Sequence, residues 1–148
     1  MDGTPFALPD PAAPATLAVV SFDDDAAPLA GQWMRLGQRL AEDTPALALA
    51  DVLVVPPRLK LLGDVALLGL RARAEREGAL ARTAVVYTKR KAFRRALGID
   101  TLVTAFLIGP DGAIAWRGDG EIDLHEVEAL EPALAALLAS HPDAQPPA

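Results

Sequence analysis

The chain has 148 residues, of which 51% are hydrophobic and 23% charged, the length and balance of one soluble globular domain. It contains no cysteine, which excludes thiol nucleophiles, disulfide exchange, thiolate zinc sites and cysteine-ligated iron–sulfur clusters. The formal net charge of −6 is segregated: residues 1–57 carry −6, residues 58–95 carry +8 and residues 96–148 carry −8.

The first fifteen residues, MDGTPFALPDPAAPA, are Pro-rich and lack the basic start and apolar stretch of a secretory leader, so residues 1–15 are expected to form a loose arm. Thr16 to Phe22 is an apolar run rich in β-branched residues and predicts a buried strand. Asp23-Asp24-Asp25 ends it. Pro28 suits the first turn of a helix, where a missing N–H costs nothing, and Leu29, Trp33, Leu36 and Leu40 supply its buried stripe to near Glu42. A second apolar stretch, Ala46 to Val55, predicts another strand. Residues 58–82 have helical spacing at Leu61, Leu62, Val65, Leu68 and Ala72, weakened by Gly63 and Gly69.

Thr83 to Thr88 predicts a strand, and Lys89 to Leu97 a short basic helix with Phe93 and Leu97 inward and Gly98 at its C-cap. Val103 to Ile108 predicts a further buried strand. Pro110-Asp111-Gly112 is a turn, because Pro presets φ and Gly accepts positive φ, and Ala113 to Arg117 returns antiparallel. The last helix starts at Asp123, which can cap it with Glu126 completing a capping-box pair. Leu124, Val127, Leu134, Leu137 and Leu138 form its apolar face, and Pro132 predicts a kink or restart. No run of about 18 apolar residues is available to span a membrane. The order of elements implies an α/β fold with a central mixed sheet and helices on both faces.

Gly98 to Gly118, GIDTLVTAFLIGPDGAIAWRG, resembles a stretch of the thioredoxin-like superfamily that runs G-[VI]-x-x-x-P-T-x-F-L-I-D-x-D-G-x-I. Gly98, Ile99, Thr104, Phe106, Leu107, Ile108, Asp111, Gly112 and Ile114 fall on its fixed positions. In Val19 to Ala30, the resemblance lays Ala27 and Ala30 on the two cysteine positions of the family's W-C-x-x-C, with Pro28 retained between them. The family's cis-proline falls on Val103, where a cis bond would cost about 2.5–4 kcal/mol, so a trans bond is expected. The resemblance thus implies a thioredoxin-like three-layer sandwich over 16–140, followed by a tail over 141–148, with all three elements of dithiol chemistry missing together. Within the superfamily, Tyr87 to Ile99 (YTKRKAFRRALGI) and Trp116 to Glu121 are similar to the mitochondrial ATP-synthase assembly factor branch and its bacterial relatives.

Three candidate sites follow. In relatives with the dithiol, the surface around Ala27, Pro28, Ala30, Val103 and Thr104 grips extended peptide, so the resemblance implies a retained protein-binding, assembly or chaperone-like role without redox activity. Asp23 and Asp25 at the end of a strand could hold Mg²⁺ for a phosphatase-type hydrolase with Thr88 and Lys91 as helpers, or simply cap the following helix. Arg71, Arg73, Lys89, Arg90 and Arg94 belong to a basic face that is either an anion-binding module or a solvated helix surface. Trp33 and Trp116 read as core, and His125 as solvated. The expectation is therefore a non-enzymatic domain with no cofactor and no resident metal. Its partner is another protein rather than nucleic acid, and its location is the cytoplasm.

Overall fold

In a computed structural model, residues 13–22, 24–58 and 81–141 are described. They form β1 (Ala15–Ser21), a 3-10 turn (Asp24–Ala26), α1 (Ala27–Asp43), β2 (Leu47–Val55), β3 (Ala81–Tyr87), α2 (Arg90–Leu97), β4 (Val103–Ile108), β5 (Ile114–Asp119) and α3 (Leu124–Ser140). The helical pattern at Leu61, Leu62, Val65, Leu68 and Ala72 lies outside the described residues, as do most of the expected N-terminal arm and tail.

The strands form one five-stranded sheet in the order β3-β2-β1-β4-β5. β1 runs parallel to β2 and antiparallel to β4, β2 is parallel to β3, and β4 and β5 make an antiparallel hairpin. β1 is the middle strand, and every residue in it is buried, which is why its sequence is an unbroken apolar run rather than an alternation. The two-residue period of a strand divides the core into two. Leu17, Val19, Leu49, Val103, Ala105 and Leu107 face α1 and α3, while Ala18, Val20, Phe22, Val52, Val54 and Phe106 face Phe93 and Leu97 of α2. The helices therefore lie on both faces, giving the expected α/β three-layer sandwich.

α1 buries Trp33 completely, with Ala30, Met34 and Gly37 beside it and Leu29, Leu36 and Leu40 packed at the edge. A Cβ on Gly37 would stand 2.9 Å from Leu49 Cδ2 and 3.0 Å from Leu17 Cδ2, so the glycine sets how closely α1 sits on the sheet. Ala26 is the N-cap, without a side-chain hydrogen bond, and the 3-10 turn leads straight into the helix; Asp23, one of the expected caps, lies outside the described residues. Such a turn is the alternative means of engaging the first amides of a helix.

α3 does not restart at Pro132 but continues through it, and both Pro132 and Glu128, whose carbonyl loses its usual partner, are exposed, so water can satisfy the freed group. Leu124 is 69% exposed rather than packed, because it shares the outer stripe of the helix with Glu128 and Glu131; Leu130 and Leu134 carry the burial. Asp123 does cap, accepting from the His125 amide at 2.7 Å, but Glu126 turns away from the box. Its Oε1 accepts from the Asp119 amide at 3.3 Å instead.

The two tryptophans meet edge-to-face with centroids 5.8 Å apart. Both indole N–H groups are satisfied, Trp33 donating to the Gly120 carbonyl at 2.8 Å and Trp116 to the Glu126 carbonyl at 3.0 Å. Gly118 makes this pair possible: a Cβ there would lie 2.6 Å from Trp116 Cη2 and 2.7 Å from Trp33 Cη2. Gly118→Ala is accordingly expected to destabilise the fold by about 1–3 kcal/mol through overpacking, read as a lowered urea midpoint by tryptophan fluorescence. An unchanged midpoint would show that the indoles can separate freely.

Candidate partner-binding site

The carboxyl ends of the parallel strands and the amino end of β4 share one edge of the molecule, since Ser21 at the end of β1 pairs with Val103 at the start of β4. The 3-10 turn and the first turn of α1 follow β1 directly, so Ala27, Pro28, Val103 and Thr104 are gathered at this end by topology alone. Their accessibility differs sharply. Pro28 is exposed and Ala27 partly buried, whereas Ala30, Val103 and Thr104 are fully enclosed. The exposed side chain beside β4 is Leu102, 47% accessible, one residue before Val103.

Val103 and Thr104 are engaged in a polar network. The Val103 carbonyl accepts from the Gly120 amide and from Thr101 Oγ1, each at 2.8 Å. Thr104 Oγ1 donates to Asp119 Oδ1 at 2.8 Å and lies 3.2 Å from Thr101 Oγ1. Arg117 then clamps the same carboxylate, Nε on Oδ2 and Nη2 on Oδ1, both at 2.8 Å. The guanidinium also donates to the carbonyls of Leu97 and Gly98 at 2.8 Å, closing the carboxyl end of α2. Gly98 ends that helix in the left-handed conformation, φ 62°, where glycine carries no Cβ penalty. The Arg117 hydrogen bond holds the Asp119 carboxyl below its ordinary range, helped by Thr104 and opposed by burial. The same bond raises Arg117.

Arg117, Asp119, Thr101 and Leu102 were not singled out by sequence reasoning. The usable signal for the first two was their spacing: residues two apart on a strand share a face, so an Arg-x-Asp pair on β5 can meet. Leu102 had no such signal, because its exposure depends on where the chain enters β4.

The other candidates are separate. Asp25 is exposed on the 3-10 turn, and Asp23 lies outside the described residues. Among the described residues no group of three or more histidines and carboxylates is placed to hold a metal ion, so nothing here favours the Mg²⁺ hydrolase. Arg71 and Arg73 also lie outside the described residues. Lys89, Arg90 and Arg94 stand together on α2, with Arg94 stacked 4.3 Å over the ring of Phe22. His125 is solvated as expected, its side chain 92% exposed.

No family model and no curated protein matches this sequence. Solved structures do match in fold. A thioredoxin-like protein from Aeropyrum pernix superposes with TM-score 0.57 at 10% identity, covering 84% of this chain and 78% of its own. A protein assigned as the thiol:disulfide interchange protein DsbE from Chlorobium tepidum gives TM-score 0.54 at 18% identity, covering 87% and 83%. The chain therefore has a thioredoxin-like fold. It is a version of that fold with no cysteine, and hence with no thiol for dithiol redox chemistry. Among the described residues no helix is long and apolar enough to cross a membrane.

Asp119 is the testable centre of the network. Its lowered pKa means that it stabilises the fold above the ordinary carboxylate range, and that this contribution is lost as the pH falls through and below that range. Asp119→Asn is expected to lower stability at pH 7 by about 1–2 kcal/mol in urea melts, with the gap to wild type closing at strongly acidic pH. A gap that stays constant with pH would contradict the ion pair.

Proposed function

We propose that this chain is a protein-binding domain without dithiol redox activity, an assembly or chaperone-like factor. In this reading it docks its partner at the end of the sheet where Ala27 and Pro28 meet the residues preceding β4. The observation that carries the reading is Leu102. A large aliphatic side chain is 47% exposed one residue before β4, next to Val103 and Thr104, which are fully buried and hydrogen-bonded internally. Burial of such a residue against a partner is favourable, and leaving it in water contributes nothing to the fold. Val103 and Thr104, which the sequence resemblance marks as gripping residues, act here as the floor that positions Leu102. The accessible contacts are Leu102, Pro28 and the exposed edge of Ala27. The thioredoxin-like fold supports the reading by analogy, because relatives with a dithiol engage extended peptide at the corresponding end.

The register of the missing thiols can be checked directly. Positions 27 and 30 are three residues apart in the first turn of α1, so their Cα atoms are about 5 Å apart by helix geometry, within disulfide reach. The double variant Ala27→Cys/Ala30→Cys is expected to form a reversible intramolecular disulfide, read by thiol titration and mass. Failure of the folded variant to oxidise would mean that the two positions do not correspond to a dithiol pair.

For the docking surface, tagged chain is used to capture partners from lysate, alongside Leu102→Lys and Ile114→Lys. Ile114 is 51% exposed but stands at the other end of the sheet, where it pairs with Ile108 at the end of β4. The expected result is loss of a reproducible partner with Leu102→Lys and retention with Ile114→Lys. Equal recovery with both variants overturns the proposed surface.

A further inference from the structure

On α2 and its N-cap, Lys89, Arg90, Lys91, Arg94 and Arg95 put five cations into seven consecutive residues, with no acid anywhere between Ala81 and Ile99. Lys89, Lys91 and Arg95 are exposed, Arg90 and Arg94 partly buried. Arg117, by contrast, shows how this fold treats a structural cation: bidentate on Asp119 and bonded to two carbonyls as well. None of the five α2 cations pairs with a carboxylate among the described residues, and Arg90 Nε is shut off from solvent with no acceptor.

The arrangement costs stability as built. Lys89, Arg90 and Lys91 crowd the positive end of the helix dipole, where carboxylates are the favoured residues and no side chain caps the amides. Lys91 and Arg95 are also one turn apart with like charge, a repulsive spacing. Only Arg94 and Arg95, at the carboxyl end, lie where the dipole favours them. A solvated stripe needs none of this, since alternating charge would keep it equally wet.

We infer that α2 is a docking surface for a short acidic polypeptide segment. The inference rests on the reading of the chain as a protein-binding domain, and it adds the chemical class of the partner. The helix is eight residues, about 12 Å long, which spans about four residues of extended chain. That footprint suits a cluster of Asp and Glu. Single-stranded nucleic acid would require aromatic stacking platforms, and Phe93 is turned into the core against Phe22 at 6.0 Å instead. An anionic bilayer would require apolar anchors on the basic face, and Leu97 is likewise packed inward; the whole molecule also carries −6. A short acidic segment meets the local +5 within a Debye length of about 8 Å and is little affected by the acidic remainder. Arg94 over Phe22 places this surface at the same end of the sheet as Leu102, since Phe22 directly follows β1.

The test uses the full chain and fluorescein-labelled peptides of alternating Glu and Ser or alternating Gln and Ser, read by anisotropy. Oligouridine and phosphatidylserine vesicles serve as competing anions. Wild type is expected to bind the Glu peptide at least about tenfold more tightly than the Gln peptide, with affinity falling steeply as salt rises. Lys89→Glu/Lys91→Glu should reduce that affinity about tenfold or more while raising Tm by about 2 °C, because it relieves the dipole and the repulsion. A gain in stability with loss of binding separates a docking surface from a solvated one. Equal binding of the two peptides, an unchanged affinity in the variant, or tighter binding of RNA or vesicles overturns the inference. Leu102→Lys is the control on the parent reading. If it abolishes partner capture while the Glu peptide fails to bind wild type, only the acidic-segment inference falls. If the peptide behaves as expected but neither Leu102→Lys nor Lys89→Glu/Lys91→Glu alters capture, the docking reading falls while acidic-peptide binding by α2 stands.

Discussion

Two of the four hydrogen bonds of Arg117 tie β5 to the carboxyl end of α2, an element with which it shares no ladder, and the other two grip Asp119 on its own strand. The guanidinium sits on the edge strand β5, reaches the carboxyl end of α2 and grips Asp119, which in turn holds Thr104 on β4. Its position over the Phe106 ring, 5.6 Å from the centroid, adds a cation–π contact on the same face. An arginine rather than a lysine is needed, because the planar fork serves a carboxylate and two carbonyls at once. The clamp fixes where the segment 98–102 leaves α2 and enters β4, and with it the exposure of Leu102.

The tryptophan pair performs the same service on the other face. Trp33 bonds to the Gly120 carbonyl while Gly120 donates to Val103, so α1, the end of β5 and the start of β4 are tied at one point. The candidate docking end therefore stands on two rigid supports, one polar and one aromatic. Positioned side chains on such a floor lose little freedom when a partner arrives, which favours affinity without a large contact area.

Much of this was legible in the sequence. The unbroken apolar runs of β1 and β4 follow from burial on both faces, and Pro110-Asp111-Gly112 forms its turn with Gly112 at φ 85° as turn chemistry requires. What was illegible depends on contacts between distant residues. Asp25 reads as a local helix cap, yet the N-cap position falls to Ala26 at the end of a 3-10 turn. Leu124 fitted an apolar periodicity but lies on the outer stripe of α3. Val103 and Thr104 were read as a gripping surface, but a strand position alone does not reveal that β5 and residues 119–120 cover them.

The missing cysteines take on a different meaning when set beside this network. In a dithiol enzyme the first turn of α1 and the start of β4 must stay open to solvent and substrate. Here Ala30 belongs to the core, and Val103 and Thr104 are buried in hydrogen bonds to their own chain. These positions are taken up in packing and lack the strain and exposure that a reactive site requires. What remains outside is apolar at Leu102 and Pro28 and cationic along α2. A partner with apolar side chains flanked by carboxylates would meet both kinds of exposure at once.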